Sequence, residues 1–170
     1  RAADAETNYA RSRAGEKAVV PGASHQTGER GILWNFLAAM TIDGMLDCSY
    51  MKVGSVNGDT FENWCTIMLI PTILQAYPGV SVVMDNASFH RRRMLIPMFA
   101  QHDIELMFLP AYSPEFNPIE TAFAWVKGHV RRDALGSIGD IPTATFRALA
   151  SITPRLCKSW LKFSDYNVVD

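Results

Sequence analysis

The sequence lacks any long hydrophobic run, and this absence excludes one class of protein. No uninterrupted apolar stretch reaches the about 18 residues that a membrane-spanning helix needs. The segment Arg1–Glu6 also lacks the apolar stretch of a secretory signal peptide. We therefore expect no membrane partner, and we expect a nuclear location if the source is eukaryotic and a cytoplasmic one otherwise.

Cysteine is scarce, and its spacing excludes two kinds of site. Cys48, Cys65 and Cys157 are far apart and form no C-x-x-C pair. An odd number of cysteines at such spacings indicates neither a disulfide framework nor a zinc site. We interpret all three as buried core thiols in a reducing compartment.

The chain also lacks a basic excess, since its formal net charge is −1. A free-standing DNA-binding module usually carries a strong positive charge. Metal-binding carboxylates would lower the net charge of a nuclease core, so a nuclease remains compatible with this balance. A hydrophobic content of 48% over 170 residues indicates one globular domain with a substantial core.

The first half of the chain has the pattern of a hairpin followed by a helix. Ile32–Thr41 and Met45–Val53 are apolar enough for two strands, joined at Asp43-Gly44, where glycine tolerates positive φ. Asp59 and Glu62 have capping-box spacing and predict the start of a helix. Its predicted buried face is Phe61, Trp64, Cys65, Met68 and Leu69, and Pro71 should kink or end it.

The second half alternates strands and helices. The predicted elements are a strand at Val80–Met84, a helix at Phe89–His102 with Met94, Leu95, Met98 and Phe99 inward, a strand at Ile104–Leu109, and a helix capped by Asn117 with Ile119, Phe123, Val126 and Val130 buried. Helical patterns follow around Thr143–Ser151 and Pro154–Phe163. This order predicts an α/β domain, residues 1–135, with a helical appendage at 136–170.

Two carboxylates occupy informative positions in this pattern. Asp85 ends the apolar run Val80–Met84, and Glu120 enters the first turn of a helix after a proline-rich segment. Two acids brought to the edge of one sheet can hold divalent metal, and two metal ions about 3.5–4 Å apart suit phosphodiester cleavage and transfer. The helix N-terminus also favours the ionised carboxylate that a metal needs.

Each acid has a simpler interpretation that stays open at this point. Glu120 has capping-box spacing to Asn117 and could bond back to the Asn117 backbone. Asp85 could be a turn residue, since turn-forming Asn86 and Ser88 follow it. We favour the metal-ligand role for both because they occur together. We expect Tyr112, in the proline-rich segment, to pack rather than to stack on a base.

The segments Val82–His90 and Leu109–Lys127 resemble the second and third acidic motifs of the D-D-E transposases of the mariner superfamily, including their bacterial insertion-sequence relatives. The specific part is the run Tyr-Ser-Pro-x-x-Asn-Pro-Ile-Glu that ends at Glu120. The resemblance extends from about Thr7 to Arg132. It implies an RNase H-like fold of the integrase and transposase catalytic core, with a mixed sheet flanked by helices.

The resemblance also implies a first acid that this chain does not supply. Family members carry that acid in a first strand a short way before the segment matching Thr7. We expect the corresponding position just ahead of Arg1, and we do not assign Asp4 to it because no apolar strand precedes Asp4. The first strand and the N-terminal helix-turn-helix region are therefore expected to be missing, and whether the chain alone is an enzyme is left open.

The resemblance assigns roles to individual residues. Asp85 and Glu120 would be catalytic and would hold Mg²⁺ or Mn²⁺ in a two-metal site. From their positions beside these acids, Asn86, His90 and Asn117 are expected to support the ligands, although His90 could instead only cap the helix. Arg91, Arg92, Lys127 and Arg131 are expected to contact DNA phosphates, and the last two share one helical stripe with Glu120. The alternative for all four is a solvated charge on a helix surface.

The leading hypothesis is the catalytic-core fragment of a DNA transposase that cleaves and transfers strands. Its partners would be double-stranded DNA, as transposon ends and target, and a second copy in a homodimer of the intact enzyme. The alternatives are an inactive or domesticated DNA-associated protein that keeps the fold, and another RNase H-like nuclease.

Overall fold

The computed structural model describes residues 34–133 and 141–168. The predictions that concern Asp4 and Thr7 lie outside these residues. None of the described helices is long and apolar enough to cross a membrane.

The predicted hairpin forms, but each of its strands is interrupted. β1 (Trp34–Leu37) pairs antiparallel with β4 (Tyr50–Val53), and β2 (Met40–Thr41) pairs antiparallel with β3 (Gly44–Met45). Gly44 has φ +141°, as its place in the tight turn requires. The interruptions at 38–39 and 46–49 let Ala38, Leu46 and Cys48 enter the core. Side chains of an unbroken strand would alternate between its two faces.

The first helix begins two residues earlier than the capping box predicts. α1 (Gly58–Trp64) is capped by Asn57, whose Oδ1 accepts the Thr60 N–H at 2.9 Å. The prediction that Asp59 caps this helix is wrong, because the Asn57 amide already binds the free N–H group. Asp59 and Glu62 are therefore available to bind elsewhere.

Pro71 does not end the helical run. A π-helical turn at Cys65–Leu69 leads directly into α2 (Ile70–Ala76), and the Ile70 N–H donates to the Cys65 carbonyl. Proline has no N–H, and its ring crowds the carbonyl one turn earlier. The wider π turn accommodates that ring, so the chain stays helical past the proline.

The central elements follow the predicted order. β5 (Val82–Met84) pairs parallel with β6 (Leu106–Phe108), and α3 (Arg92–Ala100) connects them. Leu95 and Phe99 are buried, as expected, but Met94 is half exposed. The prediction for Met94 is wrong because Leu95 and Phe99 form the buried face of α3, with Met98 partly buried beside them, and Met94 lies outside that face.

A second hydrophobic cluster joins the last three helices. They are α4 (Pro118–Asp133), α5 (Ile141–Ala150) and α6 (Pro154–Phe163). Ala122 and Val126 of α4 pack with Leu149, Cys157 and Trp160 of the C-terminal helices. Of the expected α4 stripe, Val126 is buried, whereas Ile119, Phe123 and Val130 are only partly buried. The domain boundary at residue 135 stays a prediction.

Truncating one buried side chain of α3 should cost far more stability than truncating its exposed neighbour. Leu95 is 0% exposed and Met94 is 50% exposed. We expect Leu95→Ala to lower the free energy of unfolding by about 2–5 kcal/mol through lost burial and a residual cavity. Met94→Ala should change it by no more than about 0.5 kcal/mol. Urea unfolding of both variants checks this, and equal losses would contradict the assigned helix face.

The buried cysteines predict a loss of stability at alkaline pH. Burial raises the pKa of Cys48 from 9.0 to about 11 and that of Cys65 to about 12. The folded state holds these protons more tightly than the unfolded state. This contribution is therefore complete below pH 9 and is lost as the pH rises through the folded values. The decline in unfolding free energy between pH 9 and 11 should be shallower in Cys48→Ala; parallel curves would refute the linkage.

Candidate active site

Asp85 lies immediately after β5, at the carboxyl end of the parallel strand pair. The Leu109 N–H donates to the Met84 carbonyl at 2.8 Å and extends the pairing to this edge. The Asp85 side chain is 37% exposed. Its Oδ1 accepts the Ala87 N–H at 3.1 Å and lies 2.8 Å from His90 Nδ1. Oδ2 has no hydrogen bond among the described residues.

The Asp85 geometry combines both interpretations that the sequence left open. The bond from the Ala87 N–H to Oδ1 is a turn contact of the kind aspartate often makes. The same arrangement holds the carboxylate in one orientation and leaves Oδ2 available to a ligand. The turn contact therefore does not compete with a metal-binding role.

His90 is held on three sides. Its ring centroid is 4.2 Å from that of Phe61 and 4.4 Å from that of Phe89, and its side chain is 10% exposed. A carboxylate only accepts hydrogen bonds, so Nδ1 donates to Asp85 Oδ1. His90 thus touches the predicted metal ligand directly, which is the position that its expected supporting role requires.

Glu120 lies in the first turn of α4, behind a tight lead-in. The Asn117 N–H donates to the Pro114 carbonyl at 3.0 Å, and the Asn117 carbonyl accepts the Glu120 N–H at 3.1 Å. The Asn117 N–H that a capping box would use is therefore already bound. The Glu120 carboxylate has no hydrogen bond or ion pair among the described residues. This arrangement removes the capping alternative and leaves the carboxylate open to a ligand.

Both carboxylates line one cavity of about 1000 Å³. His90, Asn117, Lys127 and Arg131 also line it, and so do apolar residues of three elements: Phe36 and Leu37 of β1, Val82 and Met84 of β5, and Ile119, Phe123 and Val126 of α4. The chain thus brings six of its nine predicted site residues to one concave surface. The roles assigned to them stay predictions.

The cavity lies against β1 and β5, each of which has an edge without a partner strand among the described residues. In residues 34–133 and 141–168, β1 pairs with β4 alone and β5 pairs with β6 alone. Both β1 and β5 contribute to the cavity wall. Among the described residues, backbone groups without a strand partner and apolar side chains therefore occur together here, and a further strand would satisfy both.

The remaining predicted residues lie away from the cavity. Asn86 is exposed and is not part of the wall. Arg91 Nε is 2.6 Å from Glu62 Oε1, and Arg91 Nη2 is 2.5 Å from Asp59 Oδ1. The Arg92 guanidinium lies 4.3 Å from the centre of the Phe108 ring. Both arginines thus make contacts within the protein that the sequence interpretation did not anticipate.

Two features were missed or wrongly predicted at the level of sequence. Asp59 and Glu62 bind Arg91; their spacing of three residues on one helix face was the available signal, and we interpreted it as a cap. Tyr112 was expected to pack, but it is 100% exposed, with φ +60°. The surrounding prolines hold the chain in a turn that directs this ring to solvent.

The donor set suits a hard divalent cation in type but is too small for two ions. Carboxylate oxygens are the ligands that magnesium prefers. The described residues contain no group of three or more histidine, cysteine or acidic side chains that could hold a metal. Asp85 and Glu120 thus fit Mg²⁺ or Mn²⁺ chemically, and a further ligand is required for a two-metal site.

Comparison with protein families assigns the chain to a known family. The family model of the DDE superfamily endonucleases matches residues 2–141. The chain belongs to this family. The D-D-E endonuclease class that the two acidic motifs indicate is thereby confirmed. No curated protein is similar enough in sequence to count as a match.

The fold of this DDE endonuclease domain is also found in a solved structure. A chain of the crystal structure of the Mos1 strand transfer complex superimposes with a TM-score of 0.60 at 16% sequence identity. The match covers 92% of the present chain and 45% of that chain. This likeness confirms the predicted RNase H-like fold class. The present chain spans less than half the length of the protein chain that it resembles.

Proposed function

We propose that this chain is the catalytic-core part of a DNA transposase that cleaves and transfers DNA strands. The observation that carries the proposal is that the two carboxylates line the same cavity. Asp85 Oδ2 and the Glu120 carboxylate both lack a partner among the described residues, although other acids of the chain, such as Glu62, are bound. Membership of the DDE endonucleases supports the same chemistry.

In this proposal Asp85 and Glu120 hold Mg²⁺ or Mn²⁺. The bound metal would stabilise charge on the attacking and leaving oxygens of a phosphodiester. His90 orients Asp85 by fixing Oδ1, and the turn at Pro114–Asn117 sets the start of α4 and with it the position of Glu120. Asn117, buried at this turn, supports Glu120 through its backbone.

A further metal ligand would be supplied by an additional strand. We propose that a segment from outside residues 34–168 pairs with the open edges of β1 and β5 and carries the first acid of the site. The unpaired edges, the apolar cavity and the two-carboxylate donor set support this arrangement.

The proposed substrate is double-stranded DNA. Lys127 and Arg131 lie on the same cavity wall as Glu120 and are exposed, so they suit a phosphate track leading away from the metal ligands. A homodimer of the intact enzyme, and a nuclear location in a eukaryote or a cytoplasmic one otherwise, belong to the same proposal.

A second candidate is a DNA-associated protein that keeps the fold without activity. The observation in its favour is that the described residues supply two acids where a two-metal site needs more. Its test is the same as that of the leading proposal, because an inactive descendant would not regain activity when a strand is supplied.

Supplying the strand should produce metal-dependent nicking that requires Asp85. A chain extended at its N-terminus by the first family strand with its acid should nick DNA in Mn²⁺. In that protein Asp85→Asn should lower the rate at least about 100-fold, beyond the 10–100-fold typical of losing a supporting residue. The amide is nearly isosteric but is a poor ligand for a hard cation.

The control for this experiment is Asp103→Asn. Asp103 is an exposed acid outside the cavity, at φ +56°, a conformation that asparagine accepts. The extended chain with Asp103→Asn should nick DNA at the same rate as the extended chain without a substitution. An extended chain that folds but never nicks would support the inactive protein, and full activity in Asp85→Asn would show that this acid is not the ligand.

The salt dependence of DNA binding should distinguish Lys127 and Arg131 from basic residues elsewhere on the surface. Lys127→Ala with Arg131→Ala should weaken binding equally on all DNA sequences. It should also reduce the slope of log affinity against log salt by about 0.9 per lost contact. Arg155→Ala with Lys158→Ala, which removes the same charge from α6, serves as the control. Fluorescence anisotropy over a salt series measures the DNA affinity of both double variants and its dependence on salt. Equal slopes in the two variants would show that Lys127 and Arg131 are only solvated charges.

A further inference from the structure

The segment that carries Asp85 has little regular structure of its own. Residues 85–91, between β5 and α3, contain neither helix nor strand. Their backbone bonds are local: the His90 N–H donates to the Ala87 carbonyl at 2.9 Å, and the Arg91 N–H donates to the Phe89 carbonyl at 3.0 Å. Contacts with a neighbouring element must therefore contribute to holding this segment in one conformation.

Arg91 supplies one such contact by reaching across to α1. Its guanidinium binds Glu62 through Nε and Asp59 through Nη2. The Glu62 side chain is 14% exposed, whereas that of Asp59 is 81% exposed. Charge-assisted hydrogen bonds are stronger where solvent is partly excluded, so the bond to Glu62 is the more important of the two.

Gly58 leaves the space that this guanidinium occupies. A Cβ atom at residue 58 would lie 2.6 Å from Arg91 Nε and 2.9 Å from its Cζ. Gly58 is the first residue of α1, and glycine inside a helix costs about 0.5–1 kcal/mol relative to alanine. The close approach of Arg91 gives a physical reason for glycine at this position.

His90 supplies a second contact between the same two elements. Its ring packs on Phe61 of α1, and its Nδ1 donates to Asp85 Oδ1. Arg91 and His90 are adjacent, so the two contacts attach consecutive residues of the 85–91 segment to consecutive residues of α1. The chain of contacts runs from α1 through His90 to the carboxylate.

We infer that Arg91 is a positioning residue: by binding Glu62 and Asp59 across Gly58, it fixes His90, and through it the Asp85 carboxylate, against α1. This role replaces the phosphate contact expected for Arg91 from the sequence. The inference rests on the proposed function only in taking Asp85 as a ligand of the site. The attachment itself is a property of the folded chain.

Hydrogen exchange of the 170-residue chain tests the attachment without DNA or metal. Arg91→Gln should speed exchange of the His90 and Arg91 amides at least about fivefold, because the segment opens more often. Exchange in β5 and in the buried part of α3 should stay unchanged. Arg93→Gln is the matched control, since Arg93 is exposed and makes no contact of this kind among the described residues.

Two further variants separate the attachment from a simple loss of charge. Gly58→Ala keeps every charge but displaces the guanidinium, so it should speed the same amides in the unmodified chain and have no added effect in Arg91→Gln. The double variant Glu62→Arg with Arg91→Glu reverses both charges and should restore slow hydrogen exchange of these amides. A phosphate-contact role predicts no such recovery.

The rate of DNA nicking measures whether the contact between Arg91 and α1 affects the function of Asp85. In the nicking-competent extended protein, Arg91→Gln should lower kcat and raise the Mn²⁺ concentration needed for half-maximal rate, with KM for DNA unchanged. Unaltered exchange at residues 85–91 in Arg91→Gln would overturn the inference, and so would a salt slope reduced by one contact. Faster exchange in a chain that never nicks would retain the attachment and refute the proposed function alone.

Discussion

The parallel pairing of β5 with β6 is the interaction on which the site depends. It brings the carboxyl ends of both strands to one edge, where Asp85 follows Met84 and the lead-in to Glu120 follows Phe108. The bond from the Leu109 N–H to the Met84 carbonyl continues this pairing to the last residue before each acid-bearing segment. Parallel strands in an α/β fold characteristically place functional loops at this edge.

The rest of the domain supports that edge from two sides. One hydrophobic cluster contains Trp64, Leu95 and Phe99 and holds α1 and α3 against the strands; the other contains Val126 and Trp160 and holds α4 on the C-terminal helices. The cavity with the two carboxylates is lined by residues of both clusters. The position of Glu120 relative to Asp85 therefore depends on how the two clusters meet. β1 and β5, whose second edges have no partner among the described residues, line the same cavity.

Much of this arrangement could be predicted from local patterns. The order of strands and helices, the turn at Gly44, the start of α4 after Asn117 and the burial of all three cysteines were predicted correctly. Each depends on interactions within a few residues or on simple burial. The errors have a different cause. Asn57 and Asp59 are both good capping residues, and residue types alone do not decide which of them caps α1. Tyr112 points to solvent from a turn with positive φ. At Pro71, where a kink or an end was expected, a π turn lets the chain remain helical.

The sequence by itself determined the family, the two acids and the elements that carry them, because turn residues, hydrophobic periodicity and a specific motif are local in the chain. Only the tertiary structure decided that Arg91 binds α1, that Gly58 leaves space for it, and that Glu120 makes no capping box with Asn117. It also decided that the two acids share a cavity with β1 and β5, each unpaired at one edge within the described part of the chain. These are contacts between residues distant in the chain, and they form only when the helices and strands pack.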